Sequence, residues 1–228
     1  MAAPGQGRVR RNHEPQLIVI RLGVVLPSRG LVFSETMAEV IREVRGVGCE
    51  WELFMAHSRP IPECFNEPVN QAIQWGATHV WMVEEDMALP AGILTELLEC
   101  GHPIASADYP VAGGRIMCVN RDKGGKVRHT GTGCLLAEVE ALKVALPFRT
   151  DIAYRVTGDV WEPFIVPKNL AKVSYGMHDI HFGMILHGRG TPIHVIPTRC
   201  TQRVIVREAT PKRNDHGWHD IELLPFPA

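Results

Sequence analysis

The chain has 228 residues, 45% of them hydrophobic, which is enough to bury a substantial core and suits one domain. Its 24 basic and 25 acidic side chains leave a net charge of -1, which excludes a globally basic polyanion binder and an acidic disordered chain. The six cysteines (Cys49, Cys64, Cys100, Cys118, Cys134, Cys200) stand singly, without C-x-x-C pairs, and no apolar run suits a signal peptide or a membrane span, so the expectation is a soluble cytoplasmic protein with reduced thiols.

Residues 1–16 are rich in Gly, Pro and Arg without periodicity and read as a flexible arm, followed by a single domain over 17–228. Leu17 to Leu26 is a dense β-branched run that Pro27-Ser28-Arg29-Gly30 ends, the pattern of a buried strand feeding a turn. A helix follows from Ser34, with Met37, Val40, Ile41, Val44 and Val47 at helical spacing before Gly48. Trp51 to Ala56 is a second strand, and a helix around Pro68 to Trp75 presents Val69, Ala72 and Ile73 on one face before Gly76. His79 to Val83 forms a third strand, a Pro90-initiated helix runs through Leu98, and Ile104 to Ala107 forms a fourth strand. This βαβα alternation predicts an α/β fold with a mostly parallel sheet and helices on both faces. Beyond Tyr109 the glycines at 113–114, 124–125, 131 and 133 predict an irregular half with loops and mixed or antiparallel strands. A last helix is expected at Asp179 to Leu186 and a strand at Ile193 to Ile196.

The third strand runs straight into Glu84-Glu85-Asp86. On an extended strand end, alternate side chains share a face, so Glu84 and Asp86 are expected to converge while Glu85 points elsewhere. Ligands of open α/β sheets collect outside the carboxyl ends of the strands, where these acids fall. Hard oxygen ligands suit Mg²⁺ or Mn²⁺, ions that commonly bridge one or two carboxylates to a diphosphate. Acids at a strand end that simply face solvent are the plain alternative.

The stretch NEPVNQAIQWGATHVWMVEEDM, Asn66 through Met87, resembles the GT-A glycosyltransferases, in which an Asn, a helix, Gly-Ala and an apolar strand lead into Asp-x-Asp. Tyr109-Pro110, Gly131-Thr132-Gly133-Cys134-Leu135-Leu136 and His178-Asp179-Ile180-His181-Phe182 extend the resemblance across most of residues 18–206. Three positions depart from the pattern: Glu84 replaces the first Asp, Phe65 stands where many members have Arg, and Arg203 stands where a late strand often supplies a metal-binding His.

The resemblance implies a GT-A-like, Rossmann-like fold with a sugar-donor half over about 17–110 and an acceptor half over about 111–228. It implies a UDP-sugar or similar nucleotide sugar as donor, with Glu84 and Asp86 holding Mn²⁺ or Mg²⁺ and His181 or His194 standing in for the missing ligand. Asp179 is then the base of an inverting transfer. Pro27, Ser28, Arg29, His57, Arg59, Asn66, Glu85 and Arg203 fall on the donor side, and Arg203 suits diphosphate oxygens. Asp108, Tyr109, Gly131, Thr132, Gly133 and Trp161 fall on the acceptor side.

Each of these residues has a plainer reading. Pro, Ser and Gly are ordinary turn residues, Arg59 is an ordinary surface cation, and Tyr109 and Trp161 are ordinary packing residues. His178, His181 and His187 lie close enough on one helix for a metal cluster, or serve as structural histidines. A local excess of Arg199, Arg203, Arg207, Lys212 and Arg213, with Arg8, Arg10 and Arg11, suits a polyanion backbone or simple solubility.

The expected activity is metal-dependent transfer of a sugar to a hydroxyl. Small enzymes of this sort also resemble bacteriophage glycosyltransferases that modify hydroxymethylpyrimidines in DNA, which implies hydroxymethylated DNA as acceptor and a host cytoplasm as location. Transfer to a glycan, protein or small molecule, and a non-catalytic nucleotide-sugar-binding module, are the alternatives. Nucleotidyl transfer ranks behind them, because Pro27-Ser28-Arg29-Gly30 lacks a Gly-rich signature with Lys after the first strand.

Overall fold

The structure, a computed structural model, describes residues 19–28, 30–56, 59–110, 124–157, 160–165, 177–203, 209–213 and 219–223. The predicted arm, Arg29 and His57 lie outside the described residues. The first half alternates strand and helix: β1 Arg21–Pro27, α1 Ser34–Val47, β2 Glu50–Ala56, α2 Glu63–Trp75, β3 His79–Val83, β4 Met87–Ala88, α3 Ile93–Glu99 and β5 Ile104–Asp108. The second half carries β6 Lys126–Val127, β7 Cys134–Glu138, α4 Val139–Lys143, β8 Ile152–Thr157, β9 Val160–Ile165, α5 Met177–Gly188, β10 Ile193–Arg199, β11 Thr201–Gln202, β12 Ala209–Arg213 and β13 His219–Leu223.

Seven strands form the main sheet, in the order β2-β1-β3-β7-β5-β10-β6. β2, β1, β3, β5 and β10 run one way, while β7 and β6 run the other. The sheet is therefore mixed rather than an uninterrupted parallel array, because β7 inserts antiparallel between β3 and β5, pairing Val83 with Cys134 and Ser106 with Leu135. Three two-stranded ribbons, β11–β4, β8–β9 and β12–β13, complete the pairing among the described residues.

Strand residues alternate between two cores, as the period of two requires. Val80, Met82, Leu135 and Ala137 face Phe65, Val69 and Ala72 of α2, Leu142 of α4 and Phe182 and Leu186 of α5. Trp81, Val83, Cys134 and Leu136 face Val40 and Val44 of α1 and Ile93, Leu94 and Leu97 of α3. Both faces of the sheet are thus covered. Gly23 brings α2 close, since a methyl there would lie 2.6 Å from Ala72 Cβ. Among the described residues, no helix is long and apolar enough to cross a membrane.

Two helix starts differ from the sequence expectation. α2 begins at Glu63, with Pro68 inside it, because Cys64, Phe65, Pro68, Val69 and Ala72 form one buried stripe through the proline. That burial outweighs a single missing backbone donor. α3 begins at Ile93 rather than Pro90, because Gly92 takes φ 83°, a left-handed conformation that no helix interior allows. The buried Glu43 carboxylate reaches across from α1 and accepts the N–H groups of Gly92 (3.1 Å) and Leu94 (3.2 Å). Glu43→Ala leaves two amide donors at this helix start without that acceptor, with an expected loss of about 1–3 kcal/mol. A urea midpoint equal to the parent's would refute this assignment.

Candidate functional site

The carboxyl ends of β1, β3, β5 and β10 and the amino end of β7 lie at one edge of the sheet. There β3 ends in a tight turn, not in the extended segment expected from the sequence. Met87 N–H donates to Glu84 O (3.2 Å), Phe33 N–H to Glu85 O (3.1 Å) and Arg203 N–H to Asp86 O (2.6 Å). Three successive carbonyls are therefore held from three directions, and Glu84 N–H is held by Gly133 O at 3.0 Å. Strand alternation does not set the facing of Glu84 and Asp86; this backbone clamp does.

Around the turn, side chains from distant parts of the chain converge. The Thr132 hydroxyl lies 3.0 Å from Glu84 Oε1 and 3.0 Å from Asp179 Oδ1. His178 Nε2 lies 2.7 Å from the same Asp179 oxygen, and both of these side chains are buried. Gln202 Nε2 donates to Asp86 Oδ2 at 2.9 Å, which the β11–β4 pairing makes possible. The Tyr109 hydroxyl accepts from Gly133 N–H at 3.1 Å. Gly133 has no room for a side chain: a Cβ would lie 2.6 Å from both Met87 Sδ and Tyr109 Cζ.

Negative charge accumulates here. Burial, and then the charge of Asp179, push the Glu84 carboxyl up to about 7; Asp86 adds to the rise, while His178 and the Thr132 hydroxyl oppose it. Burial disfavours charge on His178, but the charge and hydrogen bond of Asp179, with Glu84, outweigh burial and raise its pKa. Burial and then Glu84 and Asp179 hold Tyr109 well above the usual phenol range, so it remains a neutral phenol. Glu84 is only partly buried, so solvent reaches the cluster at this residue.

The remaining site residues named from the sequence sit as follows. Asp108 ends β5, where Oδ1 accepts Tyr109 N–H at 2.9 Å and Oδ2 lies 3.7 Å from the exposed Arg199. Pro27 is buried at the end of β1, and the Ser28 hydroxyl closes its turn by accepting Gly30 N–H (3.0 Å) and donating to Leu31 O (3.1 Å). Gly131 and Glu85 are buried. Trp161 lies in β9, whose tryptophan side chain is outside the described residues.

Three donor-side residues are tied up elsewhere. Asn66 is fastened in both directions to the Phe148 backbone (3.0 and 2.8 Å). Phe148 belongs with Phe65 to the aromatic wall around His178, so Asn66 bears on the site from behind. Arg59 pairs with Glu67 at 3.1 Å, both exposed. The Arg203 guanidinium is engaged by Glu39 Oε1 (2.7 Å), Thr36 Oγ1 (3.1 Å) and Met87 O, clamping the acidic turn to α1.

His181 sits by the Arg149–Asp151 pair; burial and then Arg149 lower its pKa, with Asp151 opposing. Among the described residues, no group of three or more His, Cys, Asp or Glu is arranged to hold a metal ion. Glu84 and Asp86 carry the hard carboxylate oxygens of which Mg²⁺ takes one or two beside phosphate and water, and one Asp86 oxygen already accepts from Gln202. Two contributors escaped sequence reasoning. His178 reads from the sequence as a metal ligand or a structural histidine and not as the partner of Asp179, although its place beside Asp179 is a signal, and Gln202 carries no signal at all.

The sequence matches no protein-family model and no curated protein. Two solved structures show a coarse likeness. One is described as the crystal structure of A197 from STIV, with 11% identity, a TM-score of 0.48, and coverage of 78% of this chain and 81% of that one. The other is CMP:2-keto-3-deoxy-manno-octonic acid synthetase complexed with CTP, with 8% identity, a TM-score of 0.40, and coverage of 81% and 90%. Likeness at this level assigns no chemistry to the chain.

Proposed function

We propose that this protein is a GT-A-type glycosyltransferase that moves a sugar from a nucleoside-diphosphate donor, of the UDP-sugar kind, to a hydroxyl acceptor. One observation carries the reading: Asp179, from the second half of the chain, meets Glu84 of the acidic turn through the single hydroxyl of Thr132. A base for the acceptor and an acidic seat for the leaving diphosphate are thereby neighbours, as displacement at a sugar carbon requires.

Glu84 and Asp86 would hold Mg²⁺ or Mn²⁺ against the diphosphate; when bound, the ion neutralises charge on the departing group. Pro27 and Ser28, at the end of β1, border the nucleotide. Asp179 takes the acceptor's proton, and His178 on the same oxygen holds that carboxylate in place. Asp108, Tyr109 and the Gly131-Thr132-Gly133 segment, all buried, border the acceptor, and solvent reaches the cluster at Glu84. A polyanionic acceptor such as hydroxymethylated DNA rests on the basic excess of Arg199, Arg203, Arg207, Lys212 and Arg213 in the sequence, since Arg199 itself lies beside Asp108.

The test is a panel of nucleotide sugars with Mn²⁺ or Mg²⁺, scored for released nucleoside diphosphate, with hydroxymethylated duplex DNA, glycans and small alcohols as acceptors. Cation-dependent release that disappears in Asp86→Ala is expected. Binding of nucleotide sugar without turnover under every condition would point instead to a binding module.

A further inference from the structure

Thr132 stands between two carboxyls to which sugar transfer gives different tasks. Its oxygen is 3.0 Å from each, and the residue is fully buried. A hydroxyl has one hydrogen, so it donates to one carboxylate at a time and accepts along its remaining directions. Asp179 has a second partner in His178 at 2.7 Å, which keeps it held when the hydroxyl turns toward Glu84.

The backbone leaves this hydroxyl little freedom to wander. Gly133 N–H donates to the Tyr109 hydroxyl, and Gly133 O accepts Glu84 N–H at 3.0 Å. The space a side chain would need at Gly133 is filled by Met87 and Tyr109. The segment is wedged between the end of β3 and Tyr109, so the Thr132 hydroxyl acts as a crossbar carried on a fixed stretch of main chain.

We propose that Thr132 is a positioning residue: its hydroxyl fixes the distance and facing between Glu84, on the sugar-donor side, and Asp179, which takes the acceptor's proton. This role rests on the sugar-transfer reading, but its structural content does not. Without the hydroxyl, the partly buried Glu84 and the buried Asp179 lose their common partner, and nothing then holds the two carboxyls at one distance.

Thr132→Val keeps the shape and removes the hydroxyl, while Thr132→Ser keeps the hydroxyl. With a productive sugar donor and acceptor, Thr132→Val is expected to lower kcat by about 10–100-fold with little change in KM for the nucleotide sugar, and Thr132→Ser to restore most of the rate. In an Asp179→Asn background the same Val substitution should cost far less, because the base it positions is already lost. Undiminished kcat in Thr132→Val, a Ser variant as damaged as the Val variant, or fully multiplicative losses in the double variant would overturn the role. Should no sugar donor prove productive, a crystal structure of the Val variant still decides: Glu84 and Asp179 separated supports the crossbar, and both unmoved refutes it. If Thr132→Val does not fold, Thr132→Ala is read in the same way.

Discussion

Asp179→Asn is expected to lower kcat for sugar transfer by about 10²–10⁴-fold, the range typical for removing a positioned base, while nucleotide-sugar binding persists. Asn keeps the length and an acceptor oxygen for Thr132 and His178, so the packing around α5 changes little, but it cannot take a proton from the acceptor. The same substitution carries a second signature. Burial opposes charge on His178, and the neighbouring carboxylate overcomes that opposition. With the Asp179 charge removed, burial gains ground and the His178 pKa must fall. Titration of its imidazole resonances by NMR, parent against variant, reads this directly. Transfer at the parental rate would remove Asp179 from the chemistry, and an unmoved His178 would remove the charge coupling.

Glu84 makes stability depend on pH. Its carboxyl sits at about 7 in the folded chain against an ordinary 4.5, so the folded state binds a proton more tightly than the unfolded state does. Stability from this group is therefore fully present below about 4.5, is lost as pH climbs, and levels off above about 7. The full swing is about 3 kcal/mol for a shift of this size. His178, raised in the fold, works in the same sense as pH passes through its own range. Glu84→Gln cannot ionise and still offers an oxygen to Thr132. In chelator-treated buffer, urea unfolding of parent and Glu84→Gln at pH 5, 6, 7 and 8 should show the variant gaining on the parent across that interval. Parallel curves would mean that Glu84 ionises freely.

The first half of the fold was legible because its signals are local. The β-branched run of β1, the helical spacing of Met37 to Val47 and the apolar run of β3 each reveal an element without reference to a partner. β7 was not legible as a sheet insert. Cys134 to Glu138 reads as an apolar run, but nothing in it says that it runs antiparallel between β3 and β5, since its partners lie far away in sequence. The acidic turn was misread for the same reason: β4 exists because Thr201 and Gln202 pair with Ala88 and Met87. Among site residues, Glu84 and Asp179 stood out as charges placed at element ends. Asn66 and Arg203 also stood out, but their partners, the Phe148 backbone and Glu39, were beyond any sequence pattern.

The late arrival of β7 constrains how the chain must be assembled. Until residues 134–138 emerge during synthesis, β3 and β5 have no strand to join them, and each offers an open row of amide and carbonyl groups. A nascent chain halted near residue 110 therefore holds the β2-β1-β3 fragment and a lone β5, both with raw margins. The same zipper strand that closes this seam begins right after Thr132 and Gly133, so joining β3 to β5 also seats the crossbar beside Glu84, ready for Asp179 of the later helix α5.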